Sequence, residues 1–424
     1  MPTKLNRAGQ QQNYVPQGNG DASGEYADSA SGSNKHFTNF SKPTDEQKSF
    51  VEFKKQEEVV KPTETPKDSK KVVDDNGYEW TSQEHYDFYI SMVTSGIKNH
   101  IVETRSGFVK DLKKAINNSN PEGLKALALT MKKRPFQFIG DDRHQNTSYY
   151  YPMMNQIHIE EDIFERKFEE PGTSLFHELG HYMNDNNKVH ENFKWYSHTV
   201  KLTDAQTIFD DGKSVAETLQ EELKEFSSSK VATQIRKDRY KYLNQRLKGQ
   251  GFTAQEYEAL TKELITFKES EEWQSIKQRI KDDYDNGRFS SLEEANKELK
   301  YRFEIWKMTG SYKDKYQQAA KWRPFFNEAS NEWYKETGIQ AVSDVWSSKS
   351  NFGFGLGHNR EYYRKSYINP NPESLLADEF FANVFGAYTA GGEKVLETTK
   401  KYFPRSYEKV LKLIERVNAE GQKV

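Results

Sequence analysis

The stretch Thr173-Ser174-Leu175-Phe176-His177-Glu178-Leu179-Gly180-His181-Tyr182-Met183 constrains this chain more than any other. It contains H-E-x-x-H. Residues four apart lie one above the other on an α-helix, so the imidazoles of His177 and His181 can reach a single metal ion. Glu178 falls at the edge of that face, close to the metal but not on it, where it can take a proton from an activated water. The flanks fit a helix. Pro171-Gly172 breaks the preceding segment, Thr173 or Ser174 can cap the N-terminus, and Asn184-Asp185-Asn186-Asn187 closes the run. Leu175, Phe176 and Leu179 give the helix an apolar face that buries it. Gly180 costs such a helix roughly 1 kcal/mol against alanine. A small residue there lets another backbone approach closely, which is a reason to tolerate the cost.

A catalytic zinc site needs a third protein ligand and one position left open. No third histidine follows at H-E-x-x-H-x-x-G-x-x-H spacing: Asn187 occupies that place, and His190 is out of register. A glutamate on a later helix is the other solution. After Asn369-Pro370-Asn371-Pro372 a helix is expected from Glu373 to Tyr388. In it Glu379 precedes a nearly all-apolar run of Phe380, Phe381, Val384 and Phe385. A carboxylate there needs a reason, and ligation supplies one. A surface role for Glu379, or Asp378 as the ligand in its stead, are the alternatives. Asn383, one turn further on, is expected to hydrogen-bond a ligand histidine.

HELGH followed by E-F-F-A-N-x-F resembles the gluzincin metallopeptidases. Within them it is most similar to the anthrax lethal-factor-like group. The order of a strand, T-S-L-F-H-E-L-G-H, V-S-D-V, G-H-x-x-x-Y-Y and the glutamate helix also resembles the zincin domains of phage head-associated proteins. The resemblance covers residues 136–200 and 340–390. It implies that His177, His181 and Glu379 bind zinc and that Glu178 is the general base. One departure stands out. Lethal-factor-like enzymes carry a tyrosine seven residues before the glutamate, and here that place holds Pro372. An oxyanion-stabilising tyrosine must come from elsewhere. Tyr362, with His358 in Gly357-His358-Asn359-Arg360-Glu361-Tyr362, is the choice, and Tyr363 and Tyr367 are alternatives. The same Gly-rich, aromatic loop can also serve merely to pack over the active-site helix.

The rest of the chain divides by composition. Hydrophobic residues make up only 34% and charged residues 30%, so part of the chain is expected to be tail or solvated helix. With 24 Tyr, 26 Phe and 7 Trp, the remainder can still build an aromatic core. Residues 1–75 read as a flexible N-terminal arm and linker, small and polar, with Tyr14, Tyr26, Phe37 and Phe40 as anchors for a partner surface. Residues 76–200 read as the first part of a zincin domain. They hold helices around Tyr86–Val93, Gly107–Ile116 and Leu124–Lys132, then a strand at Pro135–Gly140 and a second strand or hairpin over Tyr149–Pro152 and Gln156–Ile159. A strand with a free edge just before the metal helix can hold an extended peptide through its backbone. His158 alternates with Ile157 and Ile159 and reads as a strand side chain, not a ligand. Residues 201–340 read as a charged helical insertion, and 341–424 as the second part of the domain with the glutamate helix.

The expected fold class is therefore α+β: a zincin-like domain with a small sheet and active-site helices, a helical insertion and a disordered arm. The expected function is zinc-dependent hydrolysis of peptide bonds, with a polypeptide substrate and Zn2+ as cofactor. The alternative is a virion structural or cargo protein that keeps the fold with little turnover. It would be bound to phage capsid or other virion proteins through the arm. A toxin acting on a host protein is a third reading. A net charge of −2 points to neither nucleic acid nor membrane as partner. The absence of cysteine excludes disulfides and thiolate ligands. Met1-Pro2-Thr3-Lys4 leads into no apolar segment, so no signal peptide is expected. The protein is expected to be soluble, in virion or host cytoplasm if phage-encoded.

Overall fold

The computed structural model describes residues 71–75, 77–95, 107–140, 148–159, 169–192, 197–266, 271–309, 312–350, 353–358, 360–364 and 371–421. The expected arm, with Tyr14, Tyr26, Phe37 and Phe40, lies outside the described residues, as does Tyr367. What is described is mixed α+β and mostly helical, with three small sheets. Among the described residues no helix is long and apolar enough to cross a membrane.

A two-stranded ribbon, β1 (Val72–Val73) and β2 (Glu79–Trp80), leads into α1 (Gln83–Ser95), α2 (Phe108–Asn117) and α3 (Pro121–Lys133). Asn120 caps α3 by accepting from the Glu122 N–H, with Pro121 in the first turn where its missing N–H costs nothing. Three strands follow: β3 (Gln137–Gly140), β4 (Tyr149–Tyr151) and β5 (Gln156–Ile159). Their order is β3-β5-β4, with β5 parallel to β3 and antiparallel to β4, so β4 is an outer strand. Pro152 falls just past β4, where no ladder bond is needed. His158 sits in β5 stacked on Tyr149, ring centroids 4.4 Å apart.

Next come α4 (Thr173–Asn186), the hairpin β6 (Val189–Asn192) and β7 (Ser197–Val200), and a 3-10 turn at Leu202–Asp204. The start of α4 differs from the sequence expectation. Gly172, at φ 92°, is the cap; neither Thr173 nor Ser174 caps the helix, and the Thr173 hydroxyl donates to the Glu170 carbonyl. The helices α5 (Val215–Ser228), α6 (Val231–Arg246), α7 (Ala254–Thr266), α8 (Glu271–Asp285), α9 (Leu292–Thr309) and α10 (Lys313–Thr337) fill the charged block. The chain closes with α11 (Gln340–Ser347), α12 (Pro372–Ala390), α13 (Glu393–Tyr402) and α14 (Pro404–Gly421).

Much of the block 201–340 packs into the main core. Val215, Leu219, Leu223 and Phe226 of α5, Ile235 and Leu243 of α6, Tyr257 of α7, and Phe326 and Trp333 of α10 all belong to the main core. These positions recur at three- and four-residue spacing, an apolar stripe inside a charged sequence. Among the described residues, α8, α9 and the start of α10 build a second core, around Trp273 and Trp306 with Phe303, Tyr312 and Tyr316.

The element that positions the site is the pair α4 and α12. α12 begins with Asn371 accepting from the Ser374 N–H and Pro372 in its first turn. The two helices touch backbone to backbone. A Cβ on Gly180 would stand 2.9 Å from Ala382 Cα, and one on Gly386 would stand 2.9 Å from the Thr173 carbonyl oxygen. Glycine is thus required on both sides of the crossing, which explains why α4 carries Gly180 in its middle. Leu175, Phe176 and Leu179 of α4 and Phe380, Phe381, Val384 and Phe385 of α12 are all buried around this contact.

Candidate metal centre

The close crossing brings together three side chains from two distant parts of the described chain. His177 Nε2 and His181 Nε2 are 3.1 Å apart, and Glu379 Oε2 lies 3.4 Å from each. A tetrahedral zinc ion with bonds of about 2.0–2.1 Å holds its ligand atoms about 3.3 Å apart, so this triangle has the size of one face of such a site. Glu379 is buried, and its Oε2 makes no hydrogen bond among the described residues. An unbonded carboxylate oxygen aimed at two imidazole nitrogens is the donor set that a cation completes.

His181 is held from behind. Its Nδ1 lies 3.1 Å from Asp378 Oδ1. Burial opposes ionisation of Asp378, but His181 and Lys201 outweigh it and hold the carboxyl well below the usual range. An ionised carboxylate only accepts, so Nδ1 carries a proton toward Asp378, and Nε2 is left as the atom that faces His177 and Glu379 and can bind a metal once deprotonated. Asp378 is therefore behind the histidine, not on the metal side. Burial likewise disfavours a charged His181 ring, while Glu379 and Asp378 outweigh it and raise its pKa well above the ordinary value. For Glu379, burial pushes up and the neighbouring His358 and His181 pull down more strongly, so the carboxyl is held well below its usual range.

Glu178 points to the sheet side. Its Oε2 accepts the backbone N–H of Tyr150, in the outer strand β4, at 2.9 Å. The structure thus ties the proposed base to the strand expected to hold a peptide, a link the sequence did not reveal.

Tyr362 and His358 reach the same pocket. The Tyr362 hydroxyl donates to Glu379 Oε1 at 2.5 Å, and its ring stacks on His358 with centroids 3.9 Å apart. His358 is anchored by Asp344, whose Oδ1 accepts the His358 backbone N–H at 2.7 Å and lies 3.1 Å from its Nδ1. Tyr363 also donates to Asp344 Oδ1, at 2.9 Å. Asn383 donates to Asp344 Oδ2 at 2.9 Å, so it supports Asp344 and not a ligand histidine as expected. Burial disfavours charge on His358, but Glu379 and Asp344 outweigh it and raise the ring to about 9. Asp344, His358 and Glu379 are also close enough to one another to hold an ion. The Asp344 oxygens are already engaged by those donors, however, so this group is a hydrogen-bonded support for His358.

Of the residues singled out in the sequence, His177, His181, Glu379, Tyr362 and His358 converge, and Glu178 lies beside them. Asp344 and Lys201 escaped notice as site residues. Asp344 had a signal, a lone acid within Ala341-Val342-Ser343-Asp344-Val345; Lys201 looked like one more charge at the head of a charged block. No family model, no curated protein and no solved structure matches this chain.

Proposed function

We propose that this chain is a zinc-dependent endopeptidase of the gluzincin type, with a zincin-like fold. The observation that carries the reading is the triangle of His177 Nε2, His181 Nε2 and Glu379 Oε2, each atom within 3.4 Å of the others, with an acid one residue from the first histidine. Zinc is favoured over magnesium or calcium because two of the three donors are imidazoles, and hard cations take oxygen.

When bound, zinc supplies Lewis acidity to the scissile carbonyl and to the attacking water. The chain's own groups do the rest. Glu178, with Oε2 held by the Tyr150 N–H, has Oε1 left to accept the water's proton and later deliver it to the leaving amine. His358, kept in place by Asp344, is the side chain that can donate to the developing oxyanion when it is protonated. Tyr362 spends its hydroxyl on Glu379 Oε1, so its first role is to orient the ligand carboxylate. It joins the oxyanion only by exchanging that partner. A polypeptide lying along the outer strand β4 would bring its carbonyl past Glu178.

The test is Glu178→Gln. Zinc content by metal analysis should be unchanged, while digestion of a peptide library falls by about 10²–10⁴-fold. Undiminished cleavage overturns the role of Glu178. A chain that holds zinc yet cleaves nothing in either form supports a virion structural or cargo protein instead.

A further inference from the structure

Behind the ligand histidine runs a short strap that the catalytic reading leaves unused. It spans Lys201 and the 3-10 turn Leu202–Asp204, between β7 and α5. Leu202 and Thr203 are buried, and the strap is tied to both helices of the crossing. On α4, the Asn184 amide accepts from the Thr203 N–H and donates to the Thr203 hydroxyl, each at 3.1 Å. On α12, the Ser374 hydroxyl donates to Asp204 Oδ2 at 2.5 Å, and Lys201 Nζ donates to Asp378 Oδ2 at 2.6 Å. Asn184 closes the loop by donating to Asp378 Oδ1 at 2.7 Å.

We propose that Lys201 is a positioning residue of the metal centre: by clamping Asp378 it fixes the His181 ring with Nδ1 on Asp378 and Nε2 facing His177 and Glu379. The inference rests on the metal-centre reading above. A carboxylate can rotate about its Cβ–Cγ bond, and Oδ1 of Asp378 must stay on His181 Nδ1 for that orientation to persist. With Lys201 on Oδ2, any rotation that releases the histidine also breaks a charge-assisted bond, one of the stronger kinds of hydrogen bond. Asp378 is buried, so its charge is costly to leave unpaired and has nowhere in solvent to turn. Lys201 is only partly covered, its side chain 30% exposed, so its ammonium reaches inward from the surface to a group that cannot reach out.

The experiment measures zinc affinity of the full chain by competition with a chromophoric chelator, for wild type, Lys201→Met, Lys201→Arg and Asp378→Asn. The Lys201→Met/Asp378→Asn double variant completes a cycle. Removing an outer partner of a metal-bound histidine typically weakens metal binding by about 10–100-fold, and Lys201→Met should fall in that range. Lys201→Arg, which keeps the charge and guards against misfolding, should recover most of the loss. In the Asp378→Asn background Lys201→Met should add little, because Lys201 acts through the carboxylate. Nitrogen NMR of metal-free protein, recorded at a pH high enough to leave the His181 ring neutral, should show Nδ1–H in wild type and a mixture of tautomers in Lys201→Met. Zinc affinity of Lys201→Met within about twofold of wild type overturns the inference, as do additive effects in the cycle. A wild type that takes up no zinc overturns the metal-centre reading and this inference with it. A wild type that binds zinc beside an equally competent Lys201→Met overturns this inference alone.

Discussion

The crossing of α4 and α12 and the annex of α8 and α9 are both helical pairs, yet they are built in opposite ways. In the crossing, apolar residues surround a few buried polar groups, and backbones meet at Gly180 and Gly386. In the annex, charges are paired along the surface, Lys297 with Glu293 and Arg302 with Glu298, while Trp273 and Trp306 are its buried core. Leu292, Tyr301 and Met308 remain exposed there. A charge in a charge-rich helix is mostly solvated and says little. A carboxylate in an apolar helix must be held by something, and here Glu379 and Asp378 are held by histidines and a lysine.

The sharpest way to break this contrast is Trp306→Ala. Losing that side chain from a core of two tryptophans should cost about 3–5 kcal/mol. The loss should stay local: hydrogen exchange should accelerate through α8 and α9 while α4 and α12 keep their protection and zinc binding holds. If the centre fails as well, the two regions are one cooperative unit. Gly386→Ala probes the other side. Its new methyl meets the Thr173 carbonyl and the His177 backbone, so a loss of about 1–3 kcal/mol in denaturant unfolding is expected, with weakened zinc affinity. Lys297→Ala should leave both stability and zinc binding unchanged, because its partner Glu293 is as exposed as it is.

The same contrast explains what the sequence could reveal. His177, His181 and Glu379 were legible because their chemistry clashes with their apolar surroundings, and a local period places two of them on one face. The crossing was half legible: Gly180 announced a close neighbour without saying which. The strap was not legible at all, since Lys201 and Asp204 resemble the solvated charges that follow them, and their partners lie far along the chain. The packing of much of 201–340 into the main core was hidden for a related reason. Composition averaged over the block hid the apolar stripe of α5, whose Val215, Leu219 and Leu223 reach the main core. Asn383 was misassigned because helical spacing gives its face but not which acceptor, Asp344, waits there.

The long separation between the two crossing helices has a consequence for biosynthesis. Asn184 and Asp378, which hydrogen-bond at the crossing, stand 194 positions apart. A ribosome that has extruded only the first of the two helices has produced paired imidazoles and a neighbouring acid, but no third donor to close the cluster. On the proposed reading, nascent chains that lack α12 are therefore inert toward their surroundings, and hydrolytic competence arrives only when α12 has emerged and docked. Truncated products ending before Pro372 would share that inertness however well their earlier parts fold.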